Sequence, residues 1–319
     1  MTKNARKHVF QIDEEACGVR LDSFISRQFL QVSRVILRHA IASGQVLVND
    51  FQRRSSYKLR SGDIIQVEVS PLPTAALVPE PIPIKVVFED SHILIIDKPA
   101  GLVVHPNRQV TSGTLMNALC HHLQQSDPGA RPGLIHRLDK HTSGLMVVAK
   151  TEQAHRVLAK HFRQRMVTKK YLALVHGEVS SDSVDINLPL GWVNDAYPHW
   201  QVKPAGREAL TSLRVLERFR GFTLIEAEPK TGRTHQIRIH LAAIGHPLVG
   251  DSIYGKKQLE NLRLLTQSIG IALDRHFLHA SYLEFKHPRT GEPRTFSSPL
   301  PEDLKNLIER IRICVYPVQ

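Results

Sequence analysis

Apolar residues recur at helical spacing at Leu21, Phe24, Ile25 and Phe29, and again at Val35, Ile36, Ala40 and Ile41, with Ser33 as a candidate N-cap between the two sets. Gly44 ends the second helix. Val46-Leu47-Val48 then reads as a strand, Asn49-Asp50 as a tight turn, and 64–69 as a further strand after Ser61-Gly62-Asp63. The pattern predicts a small ααβ module. Periodicity then lapses, and Pro71, Pro73, Pro79, Pro81 and Pro83 predict an extended, semi-stiff connector. Beyond it, strand-like runs at 85–88, 93–96, 145–149, 171–175, 213–216, 222–226 and 279–285 are interrupted by helical patterns at 114–123, 152–166, 235–244 and 302–311. Helices do not follow the strands regularly, so the expected class is α+β, built on a mixed, largely antiparallel sheet and not on a doubly wound one. The expected division is a small domain over 1–70, a Pro-rich linker over 71–83 and a large domain over 84–319.

Composition adds a partner class. Lys and Arg number 42 against 30 Asp and Glu among 319 residues, a formal charge of +12, which favours polyanions such as nucleic acid. Solvated Lys faces give the same sum, so charge by itself leaves the partner open. In the N-terminal module Arg34, Arg38 and His39 fall off the apolar stripe, and Arg53, Arg54, Lys58 and Arg60 crowd the following loop. Their gathering on one helix–loop unit favours RNA contact over a merely solvated face. The cysteines, Cys17, Cys120 and Cys314, are far apart and suggest neither a zinc knuckle nor a disulfide framework. The first ten residues carry no apolar core of a leader, and no apolar run approaches a membrane span, so a cytoplasmic setting with no membrane partner is expected.

Nucleotide-binding glycine loops, the H-E-x-x-H pattern and G-x-S-x-G are missing, which weakens hydride transfer, ATP hydrolysis, zinc hydrolysis and serine hydrolysis. The histidine pairs His121-His122 and His235/His240 do not share a helix face as i,i+4 ligands would, so no metal is expected. Two polar clusters remain. Residues 133–144, Gly-Leu-Ile-His-Arg-Leu-Asp-Lys-His-Thr-Ser-Gly, lie directly before an apolar strand. Asp139 there is either a functional carboxylate or the cap of a turn in which Gly144 supplies a permissive backbone. Residues 230–240 feed a helix closed by Gly245 and Pro247, and their arginines can meet phosphate or a carboxylate, or simply face water.

The run His136-Arg137-Leu138-Asp139-x-x-Thr142-Ser143-Gly144-Leu145 resembles the catalytic motif of the pseudouridine synthases that modify large-subunit ribosomal RNA. Lys98-Pro99-Ala100-Gly101 with His105-Pro106, Lys169-Lys170-Tyr171, and 231–238 with 245–251 are similar to further motifs of that family, over about residues 82–300. The N-terminal module resembles the small RNA-binding domain named for a small-subunit ribosomal protein. The segment 191–204, with Trp192, Tyr197 and Trp200, departs from the family pattern and leaves the target uridine open.

That resemblance implies an isomerase that needs no cofactor and acts on structured RNA as a monomer. The C1′–N1 bond of a uridine breaks, the uracil turns, and C5 takes its place on the sugar. The implied catalytic residues are Asp139, as nucleophile or base, Tyr171 against the uracil, and Arg238, with Arg233 as the alternative, as counter-charge for the carboxylate. Arg137 fills the space of the extruded base, and His136, Arg233, Arg34, Arg38, Arg53 and Arg54 complete the RNA contacts. Two other classes stay open: an RNA-binding protein without catalysis, and a glycosidase that uses Glu228 or Asp251 as a second carboxylate. Transfer RNA is the alternative substrate.

Overall fold

A computed structural model describes residues 6–29, 37, 40–69, 78–107, 110–127, 132–193, 199–259, 270 and 273–314. Two units, Met1–Val78 and Pro79–Gln319, close separate cores. The first contains β1 (Arg6–Gln11), α1 (Leu21–Gln28), β2 (Val46–Val48), β3 (Phe51–Gln52) and β4 (Ile64–Val69), and residues 37 and 40–42 are helical too. Its strands form an antiparallel sheet in the order β1-β4-β2-β3. Leu21, Ile25, Leu37 and Ile41 pack on Val46, Val48, Ile65 and Val67. Asn49 and Asp50 turn the β2–β3 hairpin with φ of 52° and 66°, the left-handed pair that matches strand twist. β1 was hidden from the pattern because it is a mostly exposed edge strand, without an alternating apolar face. The expected cap Ser33, and Arg34, Val35, Ile36, Arg38 and His39, lie outside the described residues.

Residues 78–84 run without regular structure into the second unit. There β5 (Lys85–Glu89), β6 (Ile93–Lys98), α2 (Leu115–Gln124), β7 (Gly133–Leu134), β8 (Ser143–Ala149), α3 (Glu152–Arg163), β9 (Thr168–His176), β10 (Ser183–Asn187), β11 (Leu190–Val193) and β12 (His199–Val202) follow in order. β13 (Leu210–Phe219), β14 (Phe222–Pro229), α4 (Gln236–Ala243), β15 (Leu278–Lys286), β16 (Pro293–Ser297) and α5 (Glu302–Cys314) complete it. The main sheet runs β10-β13-β14-β9-β15-β8-β6-β5, with β16 on β15 and β7 on β8, while β11 and β12 form a separate hairpin. The β15–β8 pair is parallel and the other pairs are antiparallel. The protein is thus α+β with a mixed, largely antiparallel sheet.

Period-two alternation sorts the central strands between two layers. Leu94, Ile96, Met146 and Val148 face the cluster that holds Leu115, Leu119 and Leu123 of α2. Ile93, Ile95, Val147 and Ala149 face Ala154 and Leu158 of α3. Covered on both faces, β8 reads as a continuous apolar run over 145–149. α3 ends at Arg163, short of the expected 166, because Arg165 turns left-handed at φ 60°. Gly144 (φ 114°) lies where β8 meets β15, and a Cβ there would collide with the Ala280 backbone.

Candidate active site

The loop between β7 and β8 carries Asp139, and the first turn of α4 carries its partner. Leu138 is buried in the core and anchors the first loop from within. Behind Asp139, the buried Lys98 ammonium donates to the carbonyls of Pro99, Leu102 and Lys140 at 2.7, 3.0 and 3.1 Å. The Gly101 N–H also donates to the Lys140 carbonyl, at 2.8 Å, so the Lys98-Pro99-Ala100-Gly101 run holds the residue next to Asp139. Thr142 Oγ1 meets His276 Nε2 at 2.8 Å, Ser143 Oγ meets His279 Nδ1 at 2.9 Å, and Arg275 Nη1 donates to the His141 carbonyl at 3.2 Å. His136 accepts the Val147 N–H on Nε2 at 3.1 Å and stacks on Phe162. That acceptor must be unprotonated. Burial, and then the charge of Lys169, push the His136 pKa down to about 3.

On the opposite side Gln236 shapes the turn into α4: its amide oxygen accepts from Thr231 Oγ1 at 2.6 Å and from the Arg233 N–H at 3.0 Å. Arg238, in the same helix, is 5% exposed. Its Nε and Nη2 donate to Asp251 at 2.8 and 2.9 Å, and its Nη1 donates to Asp139 Oδ2 at 3.1 Å. Asp251 is fully buried and also accepts the Ile253 and Tyr254 N–H groups at 2.9 and 3.0 Å. Burial alone would pull Arg238 down, but Asp251 and then Asp139 outweigh it and keep the guanidinium charged. Asp251 therefore fixes the cation, and Arg238 presents its remaining edge to Asp139.

Asp139 Oδ2 is occupied by Arg238. Its side chain is 22% exposed, and the residue lines a cavity of about 790 Å³. Tyr171, Arg137, Arg233, His235 and His136 line the same cavity. Tyr171, on β9, is raised above the usual phenol range by burial and then by Asp139, so it stays protonated. Lys169 is brought down to about 8 by burial, against the pull of Glu228. Arg137 Nη2 donates to Thr234 Oγ1 at 2.9 Å, and Arg233 Nε donates to the Glu208 carbonyl at 3.0 Å. Arg238, and not Arg233, lies against Asp139. His136 is tied into the loop's backing as well as lining the cavity.

Arg53 and Arg54 belong to the first unit, where both are exposed and Arg53 lies over the rings of Phe51 and Tyr57 at 5.6 and 5.3 Å. Arg34 and Arg38 lie outside the described residues. Neither Glu228 nor Asp251 lines the cavity, since Asp251 sits behind Arg238 and Glu228 pairs with Lys230. A second carboxylate facing Asp139 across a substrate, as a glycosidase needs, is therefore not supplied by either. The sequence pattern does not single out Lys98 or Tyr254, and it marks His235 only as one of a histidine pair. Lys98 and His235 stand inside the family-like motifs, but nothing in one sequence separates a buried strut from a surface residue.

Residues 92–243 match the family described as RNA pseudouridylate synthase, and residues 19–65 match the S4 domain. A Bacillus subtilis protein named uncharacterized RNA pseudouridine synthase YlyB is 39% identical over 302 residues, covering 94% of this chain and 96% of its own length. The chain belongs to the pseudouridine synthase family. The ribosomal large subunit pseudouridine synthase D of Nitrosomonas europaea is 41% identical over 302 residues, covering 94% of this chain and 87% of its own length. The solved human RNA pseudouridylate synthase domain containing 1 superimposes with a TM-score of 0.53 at 27% identity, over 72% of this chain and 95% of that one. As a pseudouridine synthase this protein is an RNA-modifying isomerase. Its S4 domain occupies the first unit, and no described helix is long and apolar enough to cross a membrane.

Proposed function

We propose that this synthase isomerises particular uridines of large-subunit ribosomal RNA, with Asp139 as its essential carboxylate. The observation that carries the reading is the Asp251–Arg238–Asp139 chain, which leaves Oδ1 of Asp139 uncovered by the guanidinium at a cavity shared with Tyr171. Arg238 gives the carboxylate a fixed counter-charge without covering its second oxygen. Asp139 then serves the break of the C1′–N1 bond. The C5 proton that is released balances the one taken up at N1, so the product is an isomer. Tyr171 holds the detached uracil on its face, which restrains the ring's plane and lets it turn in that plane. Arg137 occupies the gap in the stack that the target leaves, while Arg233 and His136 border the substrate. Arg34, Arg38, Arg53 and Arg54 of the first domain add phosphate contacts. The expected working state is a cytoplasmic monomer, with residues 71–83 linking the domain of 1–70 to the catalytic domain of 84–319. The ribosomal assignment follows the relatives named for that substrate.

The test maps pseudouridine in ribosomal and transfer RNA from cells that lack the protein, then restores the wild type or Asp139→Asn. Ribosomal sites that disappear, return with the wild type and stay absent with the Asn variant support the reading. Sites lost from transfer RNA alone would move the substrate. Restoration by a folded Asn variant would remove Asp139 from the chemistry.

A further inference from the structure

His235 occupies the N-cap position of α4, yet its side chain caps no backbone N–H there. Its backbone is left-handed, at φ 55°, a conformation that L-residues adopt sparingly and that here aims the ring away from the helix end. Nδ1 meets the Tyr254 hydroxyl at 3.0 Å, and Nε2 lies 3.9 Å from Asp139 Oδ1 on the cavity wall. The Tyr254 hydroxyl also donates to the Trp200 carbonyl at 3.0 Å. A carbonyl only accepts, so the single phenolic proton points to Trp200, and Tyr254 must receive its second hydrogen bond from His235 Nδ1–H. The neutral imidazole is thereby fixed in one tautomer, with a lone pair on Nε2 directed at the space beside the free oxygen of Asp139.

We propose that His235 Nε2 is the hydrogen-bond acceptor for an N–H or O–H donor of the target nucleotide, either uracil N3–H or the ribose 2′-hydroxyl. The proposal rests on the reading of Asp139 as the catalytic carboxylate. Its chemical logic is complementarity: Asp139 Oδ1 and His235 Nε2 both accept, and Arg238 and Arg137 donate, so the cavity floor sorts the polar edge of a nucleotide by hydrogen-bond sense. Burial, more than the charges that face it, disfavours the protonated imidazole. Burial pulls its pKa below the usual histidine value, Arg238 and Arg137 pull the same way, and Asp139 and Asp251 pull against them. The Tyr254 ring lies under the Arg238 guanidinium, at 5.2 Å, so one side chain braces both the cation and the imidazole. Through the Trp200 carbonyl the tautomer also depends on the seating of the β11–β12 hairpin, the segment that departs from the family pattern.

The experiment uses His235→Asn, whose shorter amide suits a left-handed backbone and reaches Tyr254 but not the cavity, and Tyr254→Phe, which keeps the ring under Arg238 and removes only the hydroxyl. Single-turnover rates are measured on the RNA in which the wild type makes pseudouridine, and on the same RNA with N3-methyluridine or 2′-deoxyuridine at the target. Melting and RNA affinity are recorded alongside. The Asn variant is expected to lose roughly tenfold or more in rate with RNA affinity within about threefold, and the Phe variant to lose less. One analogue should slow the wild type strongly and the Asn variant hardly further, which names the donor. A wild-type rate in the Asn variant, or an Asn loss that multiplies in full with both analogues, overturns the proposal. If the Asn variant melts early, Tyr254→Phe decides: an undiminished rate and analogue ratios unchanged from the wild type overturn it equally. Failure here with Asp139→Asn inactive leaves the function standing, whereas an active Asp139→Asn variant removes the function itself.

Discussion

The groups that face the cavity and the groups that stand behind it are held in opposite ways. In front, Asp139 keeps one oxygen clear of Arg238, and the exposed Arg137 is tied back through a hydrogen bond to Thr234. Behind, Lys98, Arg238, Asp251, Arg275 and His276 are each at most 8% exposed and make several polar contacts or a buried one. A site of this kind puts its rigidity into the backing and leaves the front free to meet a substrate. Substitutions behind the cavity should then lower stability and rate together, and those in front should lower rate alone.

The sharpest way to break this contrast is Asp251→Asn, which keeps the acceptor for the Ile253 and Tyr254 N–H groups but strips half the counter-charge from a buried guanidinium. Uncompensated burial of one member of an ion pair costs about 3–5 kcal/mol, so a large drop in melting temperature is expected, with loss of pseudouridine formation in the fraction that stays folded. Unchanged melting would place Asp251 with the front groups. Lys98→Met comes next. It leaves the carbonyls of Pro99 and Leu102 without the ammonium and the Lys140 carbonyl with Gly101 alone, for a loss of about 1–3 kcal/mol partly offset by removing a buried charge. The rate should fall by more than the unfolded fraction explains, because Lys140 is the neighbour of Asp139. A folded Met variant at full single-turnover rate would show that the loop needs no such strut.

A third effect comes from acid. His136 and His276 are both brought down to about 3 in the folded protein, by burial first, with Lys169 and Arg238 respectively adding to it. Their unfolded value is about 6.5, so each contributes stability that is present above about pH 6.5 and is lost as pH falls toward the folded value. By about pH 5 the loss amounts to roughly 1–2 kcal/mol for each, because every step of one in pH between the two values is worth about 1.4 kcal/mol. Melting should therefore fall between about pH 7 and about pH 5, and His136→Gln, which keeps an acceptor without a titrating group, should flatten its share of the slope. An identical slope in the Gln variant would mean that the ring is not held neutral.

The front was far more legible in the sequence than the backing. Asp139, Arg137 and Arg233 stand in polar runs that adjoin an apolar strand or a helix start, Tyr171 is marked by the family resemblance, and the central strands show their two-residue or continuous apolar pattern because they fill the centre of the sheet. The carboxylate's partner, in the backing, is narrowed to Arg238 with Arg233 as the alternative, since both belong to the polar run that feeds α4 and the choice depends on which one Asp251 holds. His276 carries no such signature, and Lys98 and Asp251 enter only through the family resemblance or, for Asp251, as a candidate second carboxylate, with nothing that marks them as buried. A buried lysine has the same letter as a solvated one, and its burial follows from residues more than forty positions away, such as Lys140. β1, β3, β7, β10, β16 and the β11–β12 hairpin escape the pattern for a related reason: they are short, or lie at edges with little apolar alternation, so their pairing comes from tertiary context.

The smallest stability effect belongs to Arg137→Ala. The side chain is exposed and its tie to Thr234 Oγ1 is a surface contact, so melting should move by no more than about 0.5 kcal/mol. Its contribution should appear only when a uridine has to leave a stack, a step that costs a few kcal/mol in folded RNA and little in an unstructured strand. Two substrates separate these cases: a hairpin that carries the target uridine, and a short unstructured RNA with the same flanking bases. The expected outcome is a rate loss of roughly tenfold on the hairpin and a much smaller one on the unstructured strand, at saturating RNA in both. Equal losses on the two would assign Arg137 to the chemistry or to phosphate contact. Equal loss together with a weaker salt dependence would choose phosphate, because each neutralised phosphate removed lowers the slope by about 0.7–0.9.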